Sequence, residues 1–178
     1  MKYLALLRGI NVGGKAILPM KELATIFAAS GASEVQTLIQ SGNVIFKGTD
    51  AASIAAAVTR EIAKRFGYPG RIVLRSATEL RAAYQGNPFH QAGAPLDSLH
   101  VYFLADLPEP TAVKALDPER SPGDSFAVRG REVYLHLPNG MARTKLTNVY
   151  FDAKLHTIST ARSWKTVAKL VEMMGASD

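Results

Sequence analysis

The chain has 178 residues, 47% of them hydrophobic, with a formal charge of +6 and no cysteine. That length and apolar content fit one medium domain or two small packed ones and argue against disorder. The missing cysteine excludes disulfides, thiol catalysis and thiolate metal sites, and accords with a reducing cytoplasm.

The charge is unevenly placed. Residues 1–90 hold eleven Lys/Arg against five Asp/Glu, whereas residues 91–178 hold ten of each. A basic N-terminal half points to a polyanionic or phosphorylated partner, although a solvated basic surface gives the same count. The opening MKYLALLRGI is interrupted by Arg8. Its apolar run is too short for a signal peptide's hydrophobic region, and nothing later approaches a membrane span, so no membrane partner is expected.

Residues 2–8 form a short apolar run that reads as a buried strand ending in a Gly-rich loop. Pro19 suits a helix's first turn, Met20, Leu23 and Phe27 follow at helical spacing, and Gly31 is a natural stop. Residues 34–40 and 43–47 read as strands joined through Ser41-Gly42. Asp50 caps a second helix with Ile54, Val58, Ile62 and Phe66 on one face and Gly67 at its end. Residues 71–75 make a fourth strand, and Ser76 to Glu79 is a capping box opening a short helix through Tyr84. Residues 86–95, with two Gly and two Pro, read as the connection between halves.

The second half starts the same way. Residues 99–104 read as a strand, 110–116 as a helix, 125–129 and 132–137 as a hairpin turning at Gly130-Arg131, and about 145–155 as a helix. A last helix runs over 164–174, standing where a fourth strand would complete the pattern. The expected fold is therefore α+β: two ferredoxin-like β-α-β-β-α(-β) halves, antiparallel sheets with helices packed on them. The division is 1–90 and 91–178, or one intertwined domain.

Gly9 to Lys15 has the G-x-x-x-x-G-K spacing of a phosphate-binding P-loop, but Ala16 stands where that motif needs a magnesium-binding hydroxyl. Pro19 would also fall inside a helix starting near Gly14. A P-loop ATPase or kinase is thus a minor alternative. The loop can still bind anions through glycine backbone N–H groups, with Arg8 and Lys15 supplying charge. In the expected topology, strands one and three are central neighbours, which gathers Arg8, Asn11, Gln40, Ser41 and Asn43 at one end of the sheet. The candidate site is Arg8, Gly9, Asn11, Gly13, Gly14, Lys15, Gln40, Ser41, Gly42 and Asn43. Gly42 is expected at positive φ or crowded by the Gly-rich loop, while Asn43 and Gln40 are expected to serve a ligand at little cost to folding.

These residues carry a family resemblance. LLRGINVGGK (6–15), the following P-M-x-x-L (19–23) and LIQSGNVIF (38–46) resemble the bacterial family known as domain of unknown function 1697. Residues 160–167 resemble its T-x-R-N-W-N-T-V signature, with Ser163 and Lys165 in place of the two Asn, and Gly140 to Leu146 resembles its G-x-x-x-[ST]-K-L stretch. The resemblance implies an α+β fold of ferredoxin-like halves and no assigned activity. It also brings Lys145 and Arg162 forward as residues that close the site from the second half.

Other chemistries find little support. The four His show no metal-ligand spacing, and no G-x-S-x-G, H-E-x-x-H or paired-carboxylate motif occurs. No catalytic residue, metal or cofactor is assigned, and the balance leans away from an enzyme. The expected function is binding of a phosphorylated small molecule or nucleotide at residues 8–15 and 40–43. The alternative is a nucleic-acid-binding module using the basic face of Arg60, Lys64 and Arg65.

Overall fold

The computed structural model describes residues 1–175. The first half contains β1 (Lys2–Leu7), α1 (Met20–Ala29), β2 (Ser33–Leu38), β3 (Asn43–Lys47), α2 (Ala51–Phe66), β4 (Ile72–Ser76), α3 (Ala77–Gln85) and the short α4 (Pro88–Gln91). A 3₁₀ turn at Leu96–Ser98 leads to β5 (Leu99–Leu104), α5 (Pro110–Lys114), β6 (Ser125–Arg129), β7 (Glu132–His136), α6 (Asn148–Leu155), β8 (Ser159–Ser163) and α7 (Trp164–Met174). Two four-stranded antiparallel sheets result, in the orders β2-β3-β1-β4 and β6-β7-β5-β8. Each is the ferredoxin-like order, so the fold is α+β in two halves. Among the described residues no helix is long and apolar enough to cross a membrane.

The chain forms two compact units. One is Met1–Arg81 with the chain from Leu170, and the other is Ala82–Lys169. The division thus falls inside α3 and α7 rather than near residue 90, and the first unit is discontinuous in sequence.

In the first unit β1 lies between β3 and β4, with Leu4 opposite both Ile45 and Arg75. Side chains alternate across a strand. Ala5, Leu7, Val44 and Phe46 therefore share one face, and they pack on Leu23, Ile26 and Phe27 of α1 and on Ile54, Val58 and Ile62 of α2. Phe27 and Phe46 meet with ring centroids 5.3 Å apart. Asp50 caps α2 by accepting from the Ser53 N–H at 3.0 Å, and these hydrogen bonds from Ser53 hold its carboxyl below the usual range. Gly67 ends the helix in left-handed conformation. The end of α7 is tied in by Lys2, which donates to Met174 O at 3.2 Å, and by Arg81, which donates to Gly175 O at 2.8 Å.

In the second unit Tyr102, Leu104, Val133 and Leu135 face Leu146, Tyr150, Phe151 and Leu155. Burial pushes the Tyr102 hydroxyl up to about 12, and it donates to Leu146 O at 3.0 Å. Trp164 is a buried anchor, stacked on Tyr84 at 5.2 Å.

One expectation is overturned here. The second half has its fourth strand, β8, and α7 follows it rather than replacing it. β8 reads Ser-Thr-Ala-Arg-Ser and lacks the apolar alternation that marks a half-buried strand. Pairing with β5 buries it, with Val101 opposite Arg162. The halves repeat in detail. Arg75 and Arg162 are both buried, hold the same register position, and precede a serine that caps the next helix: Glu79 N–H donates to Ser76 Oγ and Thr166 N–H to Ser163 Oγ.

Candidate functional site

The Gly-rich segment is a small hairpin. Lys15 N–H donates to Val12 O at 3.1 Å and Asn11 N–H to Ala16 O at 3.1 Å. Between them Gly13 (φ +59°) and Gly14 (φ +70°) both take left-handed conformation, the requirement of a two-residue primed turn. α1 begins only at Met20, behind Pro19. Lys15 therefore sits on the hairpin and not at a helix start, and the geometry is not that of a P-loop.

Asn11 is the hub of this end of the sheet. Its Oδ1 accepts Leu18 N–H at 2.8 Å, and its Nδ2 donates to Leu18 O and Gln40 O, each at 2.8 Å. One side chain thus closes its own loop and stitches it to the β2–β3 turn. Asn43 braces that turn: it is 0% exposed, and its Nδ2 donates to Leu38 O and Ser41 Oγ, each at 3.0 Å. Gly42 meets both expected conditions. Its φ is +78°, and a Cβ there would stand 2.7 Å from Leu7 Cβ and 2.8 Å from Ile10 Cδ1. Its carbonyl accepts Leu7 N–H at 2.8 Å.

Ten of the twelve sequence-derived residues therefore lie on two linked loops of the first unit, but their roles divide. Asn11, Gly42 and Asn43 build the frame, which corrects the expectation that the two asparagine side chains face a ligand. Gly9, Gly13, Gly14, Lys15 and Gln40 are exposed, and Arg8 and Ser41 are half-buried. Lys145 and Arg162 belong to the second unit. Lys145 is exposed on the loop before α6, its N–H held by Ser121 Oγ at 3.0 Å and its carbonyl by Arg120 Nε at 3.0 Å. Arg162 is buried, donates to Thr160 Oγ1 at 2.8 Å and Ala161 O at 2.7 Å, and is lowered by burial to about 10.

The structure adds Arg71, an exposed cation that the sequence reading passed over. Arg8 N–H donates to Arg71 O at 2.9 Å, because antiparallel β1–β4 pairing places the start of β4 beside the end of β1. The expected topology held that signal. The three loops at this end, 8–19, 38–43 and 67–72, contain Arg8, Lys15 and Arg71 and no Asp or Glu. Acids of the first unit are placed elsewhere. Glu34 pairs with Lys47 at 2.9 Å, and Asp50 and Glu79 cap helices at the opposite end of the sheet. Glu22 and Glu61 both pair with Arg65. Tyr68, in the third loop, has a buried hydroxyl without a hydrogen-bond partner among the described residues, and burial raises its pKa.

The second unit serves as an internal control. Its equivalent end has Ala105 where the first has Arg8 and Ile158 where the first has Arg71, joined by Ala105 N–H to Ile158 O at 2.8 Å. A short loop closes it. Asp106 N–H donates to Thr157 Oγ1, and that hydroxyl donates to Asp106 Oδ2, each at 3.1 Å. Asp106, Glu109 and Glu132 lie at that end together with Arg131, which donates to Ala105 O at 3.2 Å, so its charge is mixed. Among the described residues no group of three or more His, Asp or Glu is arranged to hold a metal.

The profile of a family described as a protein of unknown function, DUF1697, matches residues 1–134, a stretch that includes both site loops. The chain belongs to the DUF1697 family. The stretches at 140–146 and 160–167 lie beyond the matched region. The fold is also that of the conserved bacterial protein SP0830 from Streptococcus pneumoniae, at TM-score 0.73 and 21% identity, over 97% of this chain and 98% of that one. A search of curated proteins found no match.

Proposed function

We propose that the basic end of the first unit binds a phosphorylated small molecule or nucleotide. One observation carries the reading. The same fold occurs twice in this DUF1697 chain, and only the first copy has an extended hairpin and acid-free cationic loops at this end. Ile10 and Leu18 of that loop belong to the core, but the second copy closes its end with a short loop and an Asp106–Thr157 pair, so the fold itself does not require cationic loops there. In this reading Lys15, Arg71 and Arg8 neutralise the phosphate. Gln40 and Ser41 orient the ligand, and the backbone N–H groups of Gly13 and Gly14 approach it without a Cβ in the way. A cytoplasmic location, where such metabolites occur, belongs to the same proposal.

The test is thermal stabilisation by inorganic phosphate, sugar phosphates and nucleotides. A ligand should raise the melting temperature, and Lys15→Ala and Arg71→Ala should each weaken it by about 10–100-fold, the range for a charged hydrogen bond of roughly 1.5–3 kcal/mol. No shift with any phosphorylated compound would overturn the reading. Nucleic-acid binding rests on the exposed Arg60 and Lys64 of α2. Arg65 adds little to it, being paired with Glu22 and Glu61 and lying 5.5 Å over the Phe66 ring. That reading predicts affinity falling linearly with the logarithm of salt concentration, measurable by gel shift.

A further inference from the structure

The same two loops display aliphatic side chains to water. Val12 is 63% exposed, Ile17 66% and Ile39 55%. Their neighbours in sequence are joined by the Asn11 hub. Val12 follows Asn11 in sequence, Ile17 precedes Leu18, and Ile39 precedes Gln40, and Leu18 and Gln40 are the two residues that the Asn11 side chain binds. Ile39 is doubly unfavourable. It is β-branched at φ +50°, where such residues are strained, and the strain places its side chain in solvent instead of in the core. The β2–β3 turn holds this conformation at a cost in free energy, and a ligand lying on the exposed side chain would recover part of it.

We infer that the ligand carries a flat aromatic ring beside its phosphate: it is a nucleoside phosphate whose base lays its face over Val12, Ile17 and Ile39 while Lys15 and Arg71 hold the phosphate. This rests on the reading that a phosphorylated ligand binds here. The argument is complementarity. An acid-free cationic end selects the phosphate, and an aliphatic patch on the same loops favours a base over a sugar, whose hydroxyls would lose water without gaining partners.

Calorimetric titration with AMP, GMP, CMP, UMP, ribose 5-phosphate and inorganic phosphate tests it. At least one nucleotide should bind tenfold or more tightly than ribose 5-phosphate. Ile39→Asn and Ile17→Ser should erase that advantage and leave ribose 5-phosphate binding unchanged, with thermal melts confirming that both variants fold. Asn tolerates the left-handed backbone, so Ile39→Asn removes the aliphatic surface without new strain. Nucleotides binding no better than ribose 5-phosphate, or an advantage that survives both substitutions, overturns the inference and leaves phosphate binding standing. No binding by any of the six compounds overturns both.

Discussion

Asn43 and Asn11 look alike in sequence, as polar residues in glycine-bearing loops, and a ligand contact and a backbone brace call for the same residue type there. Only the contacts separate the two roles. Removing the Asn11 amide leaves Leu18 N–H and two carbonyls without their partner. Asn11→Ala is therefore expected to cost about 1–3 kcal/mol of unfolding free energy in urea titration. Gly42→Val adds strain at positive φ to a clash with Leu7 and Ile10, and should cost roughly 2–5 kcal/mol by the same measurement. Ile39→Asn should behave oppositely and leave stability unchanged or raise it by up to about 1 kcal/mol, because it relieves strain at an exposed position. Arg71 was legible in principle, since β-α-β-β-α-β topology dictates its place beside Arg8. Nothing in the local sequence marks it as a site residue, since an Arg opening an apolar strand reads the same on a solvated edge.

Hydrophobic period made most strands and helices readable: the apolar run of β1, the spacing of Ile54, Val58 and Ile62 in α2, and the hairpin at Gly130-Arg131 all stand where their patterns place them. β8 was not readable, because Thr160 and Arg162 become buried only through pairing with β5, a non-local contact that no local window contains. β5 itself supports a pH prediction. His100 is half-buried and its Nδ1 has no partner among the described residues, and burial lowers its pKa from 6.5. Above about pH 6.5 the imidazole is neutral in both folded and unfolded chains, so it confers no pH dependence. As pH falls through that value the unfolded chain takes up the proton first, and stability drops until the folded group titrates too. Melting temperatures between pH 8 and pH 5 should therefore fall less in His100→Gln than in the native chain. An equal fall in both would mean that other groups set the acid response.

The two units divide the chain unequally in sequence: the second is a single stretch, Ala82–Lys169, and the first needs the chain from Leu170 to be complete. A fragment ending at residue 90 lacks Met174, which is buried, and the carbonyls that bind Lys2 and Arg81. Hydrogen exchange should find its β1 amides less protected than those of the full chain, and equal protection would show that the C-terminal segment is dispensable. Domains usually complete themselves in the order of synthesis, N-terminal first. Here the first unit requires residues from 170 on, which are made after the whole of the second unit. The second unit can therefore finish folding first, while the sheet bearing the basic loops waits for a segment made after it.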